Sequence, residues 1–415
     1  MGNKKKTLGQ QWRQFKRNTK IRIQSKKLDR KHPTTQRCKI GLLMLFAQSW
    51  NSYETLYRAA KAHPQVDMIV YVLPAMQNGV LNLNRYAEAL AFFEERGIEV
   101  CPLYDMGTGM SQDKFEAVDY LFYDEPYVEL FPDWLNPRCL VYTTKICYIP
   151  YGFLLTDQKP LLEIAFRKNF FTYVHTFFSS CYLDAAYSRE LFPTLKGRRH
   201  HVVELGYPRL DMVGTNDKSD VRQGMTVEWT PRWTIPGTNL DNCTAYSSFL
   251  EFKDYIPVRA AACKEEYWIL RPHPLAFGNY VKHGLMTEDE VTEYKVLVDH
   301  MPNAEIDKEP DYRKSFDRAD VLVTDYTSLI AEFIASGKPV VYCGEMEALC
   351  MDELKAVVYH AKGWEQVVTY LDALRTGEDP KAEQRRAYAN GLRGNGTLIG
   401  EKILNYIVAD FYKTK

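Results

Sequence analysis

Four short turns hold the residue types that chemistry on a phosphate would need. Arg271-Pro272-His273-Pro274 closes a run of strand formers, Trp268–Leu270, and its two prolines freeze the backbone, so Arg271 and His273 project in fixed directions. Arginine can grip phosphate oxygens bidentately. Histidine near neutral pH takes a proton from a hydroxyl or, as imidazolium, stabilises a departing phosphate. Asp325-Tyr326-Thr327-Ser328 follows the run Val321–Val323 and opens a helix predicted over 329–335. Hydroxyls and unpaired N–H groups there either cap the helix or receive an anion. Gly206-Tyr207-Pro208-Arg209 and Thr230-Pro231-Arg232-Trp233 are similar in kind: a strand end, a prolyl-locked turn and an arginine. Each turn alone is a weak signal, but four of them at strand ends point to a polyanionic ligand.

Parallel strands position such turns, because ligands in open α/β sheets sit at the carboxyl edge. Apolar runs at 40–46, 68–73, 99–103, 120–123, 146–149 and 201–205 read as strands, with amphipathic helices at 53–62 and 86–95 between the early ones. Gly206–Asp211 breaks the pattern, and a second series then starts. Its strands are expected at 226–230, 268–270, 321–323 and 340–343, with helices near 246–265, 287–300, 312–319 and 364–374. The expected fold class is α/β, with two Rossmann-like domains facing each other across a cleft. Their limits are 39–211 and 212–379, after a basic arm (1–38) and before a helical tail (380–415) that could pack on either domain.

Composition excludes several classes. At 415 residues, 46% hydrophobic and 26% charged, the chain is globular and long enough for two or three domains. Nine cysteines without a CxxC pair argue against a zinc site or a disulfide framework and fit a reducing cytoplasm. No carboxylate cluster has metal-ligand spacing, so neither metal nor cofactor is expected. The longest early apolar run, 40–47, is too short to span a bilayer and too far from Met1 for a signal peptide. Walker A, GxSxG and HExxH motifs are absent, and Asp105–Met110 lacks the third glycine of GxGxxG. His175 reads as a packed residue, His200-His201 as part of a basic loop, and the tyrosines of 120–127 as core.

The net charge is zero, but residues 1–39 carry fourteen Lys or Arg against the single acid Asp29. Leu8, Trp12 and Phe15 fall on one face of a helix there, with Lys5, Arg13, Lys16, Arg17 and Lys20 mostly around its flanks. A basic segment with Trp and Phe reads as an interfacial helix on an anionic membrane surface, the alternatives being a solvated tail or a nucleic-acid-binding arm.

VLVTDYTSLIAEFIASGKPVVYC resembles the strand–DYSS–helix signature of the CDP-glycerol glycerophosphotransferases, the teichoic-acid primase and polymerase family. RPHP, GYPRLD and WTPRWT are similar to that family's Arg-x-His-Pro, G-x-P-R-x-D and TPTWR stretches, in the same order. The likeness is strong over about 200–345. Before that it is diffuse and rests on LVYTTKICYIPYG.

The resemblance implies a GT-B fold whose C-terminal domain holds the nucleotide, and attachment to the inner face of the cytoplasmic membrane. It implies transfer of glycerol phosphate, or a related polyol phosphate, from CDP-glycerol to a hydroxyl of a teichoic-acid, capsule or other cell-surface polymer precursor, with release of CMP. By carry-over, His273 and Arg271 act on the diphosphate. Asp325, Thr327, Ser328, Gly206, Arg209 and Arg232 bind substrate, with Tyr151 and Gly152 on the acceptor side; no nucleic acid is expected. The family's Trp-His-Gly corresponds here to Pro150-Tyr151-Gly152, which removes a candidate base. Two rival readings stay open: a GT-B glycosyltransferase using a nucleotide sugar, and a non-catalytic nucleotide-binding or scaffolding relative.

Overall fold

The computed structural model describes residues 8–29, 37–191, 201–214, 224–235, 246–309, 311–394 and 396–413. The chain divides into two compact units. The first comprises Met1–Tyr151, Ala165–Asp211 and Thr397–Lys415, the second Gly152–Ile164 and Met212–Gly396. Each is built on one parallel sheet, so the architecture is α/β with two Rossmann-like sheets.

In the first unit, β1 (Cys38–Met44), β2 (Val66–Val72), β3 (Cys101–Pro102), β4 (Tyr120–Tyr123), β5 (Lys145–Tyr148), β6 (Thr176–Ser179) and β7 (His201–Glu204) lie in the order β7-β6-β5-β4-β1-β2-β3. The central strands are buried on both faces, which is why they read as unbroken apolar runs. β3 is shorter than the 99–103 run suggests, because only Cys101 and Pro102 pair with β2. β1 and β4 are neighbours in register, Leu43 beside Tyr123, and the chain leaves them in opposite directions along the sheet.

The tail forms two helices, Ala382–Arg393 and Ile399–Phe411. The second packs on the first unit. Ile399, Ile403, Leu404, Ile407 and Phe411 join the core formed with Leu56, Ala60 and the β1–β2 side chains. Gly400 permits this approach, since a Cβ there would sit 2.3 Å from the Leu56 nitrogen.

α1 (Leu8–Asp29) is anchored to the first unit by one face. Ile21 is fully buried, and Gln24 Nε2 donates to the Tyr142 carbonyl at 2.5 Å. Asp29 accepts from His175 Nε2 at 2.8 Å, which fixes that tautomer because a carboxylate cannot donate. His175 Nδ1 then accepts from Thr176 Oγ1, also at 2.8 Å. His201 belongs to β7 rather than to a basic loop, and its ring lies 4.9 Å from that of His175; His200 lies outside the described residues.

Beside this cluster, buried Lys145 pairs with Asp410 at 2.5 Å, and the Tyr120 hydroxyl donates to the same carboxylate at 2.7 Å. Burial would raise the Asp410 pKa, but Lys145, Lys413 and Tyr120 outweigh it and hold the carboxyl below its ordinary range. Its stabilising contribution is therefore present above the ordinary carboxylate pKa and lost as pH falls below it. Lys145→Met should cost about 3 kcal/mol in urea unfolding, because the buried carboxylate loses its main counter-charge while Lys413 still compensates part of it.

The second unit repeats the plan. β8 (Met225–Thr230), β9 (Glu266–Leu270), β10 (Ala304–Ile306), β11 (Val321–Thr324), β12 (Val340–Tyr342) and β13 (Tyr359–His360) lie in the order β10-β9-β8-β11-β12-β13. Trp229, Trp268, Phe249, Tyr280 and the β11–β12 valines fill its core. The direction of winding reverses between β8 and β11, where Thr230 and Thr324 lie side by side. In α/β sheets a ligand crevice forms at the carboxyl end of such a reversal.

Candidate active site

The carboxyl ends of β8 and β11 are joined by side chains that belong to the turns singled out above. Thr230 Oγ1 donates to Thr324 Oγ1 at 2.7 Å. The next residue on β11's side, Asp325, is buried, and its Oδ2 accepts the backbone N–H groups of Arg232 and Ser248, both at 2.9 Å. Asp325 therefore ties three segments together: the turn after β11, the turn after β8 and the chain at 246–248. Burial pushes its carboxyl up, while the N–H donors pull the other way. Its Oδ1 has no hydrogen-bond partner among the described residues.

Arg232 reaches back across the same junction. Its Nη1 donates to the Tyr326 carbonyl at 3.0 Å, its Nε to Thr234 Oγ1 at 2.9 Å, and the guanidinium lies 5.2 Å from the Tyr326 ring centre. Those contacts hold the guanidinium beside the Tyr326-Thr327-Ser328 turn. Thr327 Oγ1 accepts the Leu329 N–H at 3.3 Å, whereas Ser328 makes no side-chain cap. The segment at 152–164 packs here as well: a Cβ on Gly152 would lie 3.2 Å from Ser328 Oγ, so only glycine passes the hydroxyl this closely without displacing it.

His273 sits on the other side of Arg232. Its backbone N–H donates to the Pro231 carbonyl at 3.1 Å, and its ring lies 6.0 Å from that of Trp233. Solvent reaches the residue, yet crowding around the imidazole and the Arg232 charge both favour the neutral ring, and its pKa is lowered to about 4. An anion lying against Arg232 would cancel part of that charge and raise the value again. Arg271 pairs with Asp307 and donates from Nη2 to the Glu309 carbonyl at 2.8 Å.

Gly206, Arg209 and Tyr151 belong to the first unit. Gly206 adopts a left-handed φ of 106° against Ile399. Arg209 is buried, and its Nε donates to Ser52 Oγ at 2.8 Å. Tyr151 shares a 2.8 Å hydrogen bond between hydroxyls with Tyr127. The sequence reading missed Ser248, whose nitrogen completes the Asp325 junction.

Residues 182–348 match the model of the family described as CDP-Glycerol:Poly(glycerophosphate) glycerophosphotransferase. This stretch contains all four turns and covers less than half of the chain. Over these residues the chain is similar to the CDP-glycerol glycerophosphotransferases. The matched stretch includes β8, β11 and the junction between them.

No protein of curated function matches the sequence. Among solved structures, a putative UDP-N-acetylglucosamine 2-epimerase from Listeria monocytogenes aligns at 11% identity over 91% of this chain and 97% of its own, with a TM-score of 0.60. The UDP-GlcNAc 2-epimerase from Neisseria meningitidis, bound to UDP-GlcNAc, aligns at 11% identity over 89% and 99%, with a TM-score of 0.58. The wall teichoic acid polymerase TagF aligns at 13% identity over 98% and 99%, with a TM-score of 0.52. At these identities the likeness is one of fold, in agreement with the α/β, GT-B-type class expected from the sequence.

Proposed function

We propose that this protein is a glycerophosphotransferase that moves glycerol phosphate from CDP-glycerol onto a hydroxyl of a cell-surface polymer precursor. The oxygen of the acceptor attacks the phosphorus bearing glycerol, the bond to the bridging oxygen breaks, and CMP leaves with those electrons. The observation that carries this reading is the junction of β8 and β11, where Arg232, His273 and the Thr327-Ser328 hydroxyls surround one point of winding reversal in the family-matched stretch. In this reading Arg232 and Ser328 hold the diphosphate and Thr327 shapes the turn. His273 contacts a phosphate oxygen, and Asp325 positions the turns without touching substrate. Arg271, braced by Asp307, supports the His273 turn. The second unit, with Gly152 against Ser328, is then the nucleotide domain, and the first, with Gly206, Arg209 and Tyr151, the acceptor domain.

CDP-glycerol should raise the Tm, whereas UDP- and GDP-sugars at the same concentration should not; occupancy at about 100-fold over Kd corresponds to roughly 2.7 kcal/mol. Stabilisation by a nucleotide sugar but not by CDP-glycerol would replace this reading with glycosyl transfer.

We further propose that α1 holds the enzyme on the inner face of the cytoplasmic membrane. No described helix is long and apolar enough to cross a membrane. Leu8, Trp12, Phe15 and Ile23 are 85, 57, 67 and 52% exposed, although Ile21 on the same helix is buried. Lys16, Lys20 and Lys27 line a groove of about 380 Å³ with Phe15, Ile23 and Tyr142. Apolar side chains flanked by lysines suit anionic headgroups. Trp12→Glu combined with Phe15→Glu should abolish flotation with phosphatidylglycerol vesicles, and unchanged flotation would remove α1 from that role.

A further inference from the structure

Polar side chains as well as apolar ones join α1 to the first unit. Asp29 at the end of α1, His175 at the entry to β6 and His201 at the start of β7 each bring a potential metal-ligand atom to a common point, and these atoms all lie within 4.8 Å of one another. The sheet sets the two imidazoles side by side. β6 and β7 are parallel neighbours, the His201 N–H donates to the His175 carbonyl at 3.0 Å, and the two rings lie 4.9 Å apart. Asp29 arrives from another element, 146 residues from His175, so no short motif marks the set. His175 is 4% exposed, and Asp29 and His201 are half-buried. Two imidazoles and a carboxylate are a donor set for a first-row transition ion.

The neighbours suit such an ion. Ligand atoms about 2.1 Å from a tetrahedral centre stand about 3.4 Å apart. Asp29 Oδ1 and His175 Nε2 are 2.8 Å apart, a separation that a small side-chain rotation opens to that value. His175 Nδ1 shares a 2.8 Å hydrogen bond with Thr176 Oγ1. With Nε2 on an ion the ring proton sits on Nδ1, and the hydroxyl keeps the bond by accepting instead of donating. A partner of that kind orients a ligating imidazole. Burial holds the His175 ring neutral, the form that ligates. The competing charge is Lys145, 3.8 Å from Asp29 Oδ1. It lies closer to Asp410, at 2.5 Å, and that carboxylate also takes Lys413. An ion on Asp29 therefore replaces a histidine N–H and a more distant lysine, and leaves the Lys145–Asp410 pair in place.

We propose that Asp29, His175 and His201 form a binding site for a divalent first-row transition ion, zinc being the ion to test, with water in the remaining position. Magnesium and calcium, which favour oxygen ligands, fit two imidazoles poorly. The bound ion cross-links α1 to the β6–β7 edge of the sheet, and its role is to hold that helix in place. The site lies wholly within the first unit, and neither the transfer reaction nor membrane attachment is needed for it.

The test uses the full chain, stripped with EDTA, exchanged into chelator-free buffer and titrated with zinc chloride alone. An equimolar amount of zinc should stay with the protein through gel filtration, raise its Tm and slow trypsin cleavage at the lysines and arginines of α1. Magnesium or calcium chloride should do none of these. Thr176→Val removes only the hydroxyl behind His175 and should weaken zinc binding roughly 10- to 100-fold. His201→Asn should leave the Tm of the metal-free chain unchanged and abolish the rise with zinc. If His201→Asn lowers the metal-free Tm, Asp29→Asn, at the exposed end of a helix, decides by the same zinc readout. Failure of the wild-type chain to retain zinc overturns the site. Zinc retained in full by both His201→Asn and Asp29→Asn also overturns it, by placing the metal elsewhere, such as on the cysteines.

Discussion

Replacing His273 by alanine should lower CMP release from CDP-glycerol by roughly 10² to 10⁴-fold, the range for loss of a positioned proton-handling side chain. The Pro231 carbonyl accepts from the backbone N–H of His273, the Trp233 ring lies 6.0 Å away at a 40° tilt, and burial and the Arg232 charge favour the neutral imidazole. With the pKa at about 4, the free enzyme carries a neutral imidazole throughout the physiological range. A diphosphate against Arg232 changes that balance and favours a proton on the ring, so binding should take up protons and weaken as pH rises. His273→Gln can still donate one hydrogen bond but cannot titrate. It should retain more CDP-glycerol binding than His273→Ala and show no proton uptake by calorimetry in paired buffers. Because the folded pKa lies below that of the unfolded chain, the unfolded state binds more protons between about pH 4 and pH 6.5, and His273 makes stability rise with pH across that window. His273→Ala should flatten that part of the stability profile. Equal turnover by wild type and His273→Ala would remove the residue from the chemistry.

The sequence was most legible where a local rule and the fold demand the same residue. The apolar runs of β1, β4, β8 and β11 sit in the sheets because strands covered on both faces carry no alternation to misread. Prolyl-locked turns advertise strand ends, and those around Arg232 and His273 meet in one unit. Partners distant in the chain were not legible. Arg271 looks like a free ligand until Asp307, 36 residues on, is seen to take its guanidinium. Asp29 was the single acid in a basic arm, with nothing local to say that it accepts from His175, 146 residues away. The helical tail could be drawn against either half, and only the bare backbone of Gly400 against Leu56 selects the first.

Asp325→Ala should be the most damaging single change to the second unit, costing about 2–5 kcal/mol in urea unfolding. Two N–H groups, the part-buried one of Arg232 and the buried one of Ser248, would lose their common acceptor, and a fully buried orphaned donor costs roughly 1–3 kcal/mol. Against this stands relief from burying a carboxylate, whose charge the site already disfavours. Asparagine separates the two effects. Its carbonyl oxygen can accept both N–H groups while the amide occupies the place of the partnerless Oδ1, so Asp325→Asn should stay within about 1 kcal/mol of wild type. If the carboxylate only organises the turns, the asparagine variant should also keep most of its CDP-glycerol Tm shift, and the alanine variant should lose it with the Arg232 turn. A different pattern, an asparagine variant that is stable but no longer stabilised by CDP-glycerol, would mean that the charge of Asp325 itself acts on the ligand. Asp325 is then a participant in binding, and the division of labour drawn here between Asp325 and Arg232 has to be reversed.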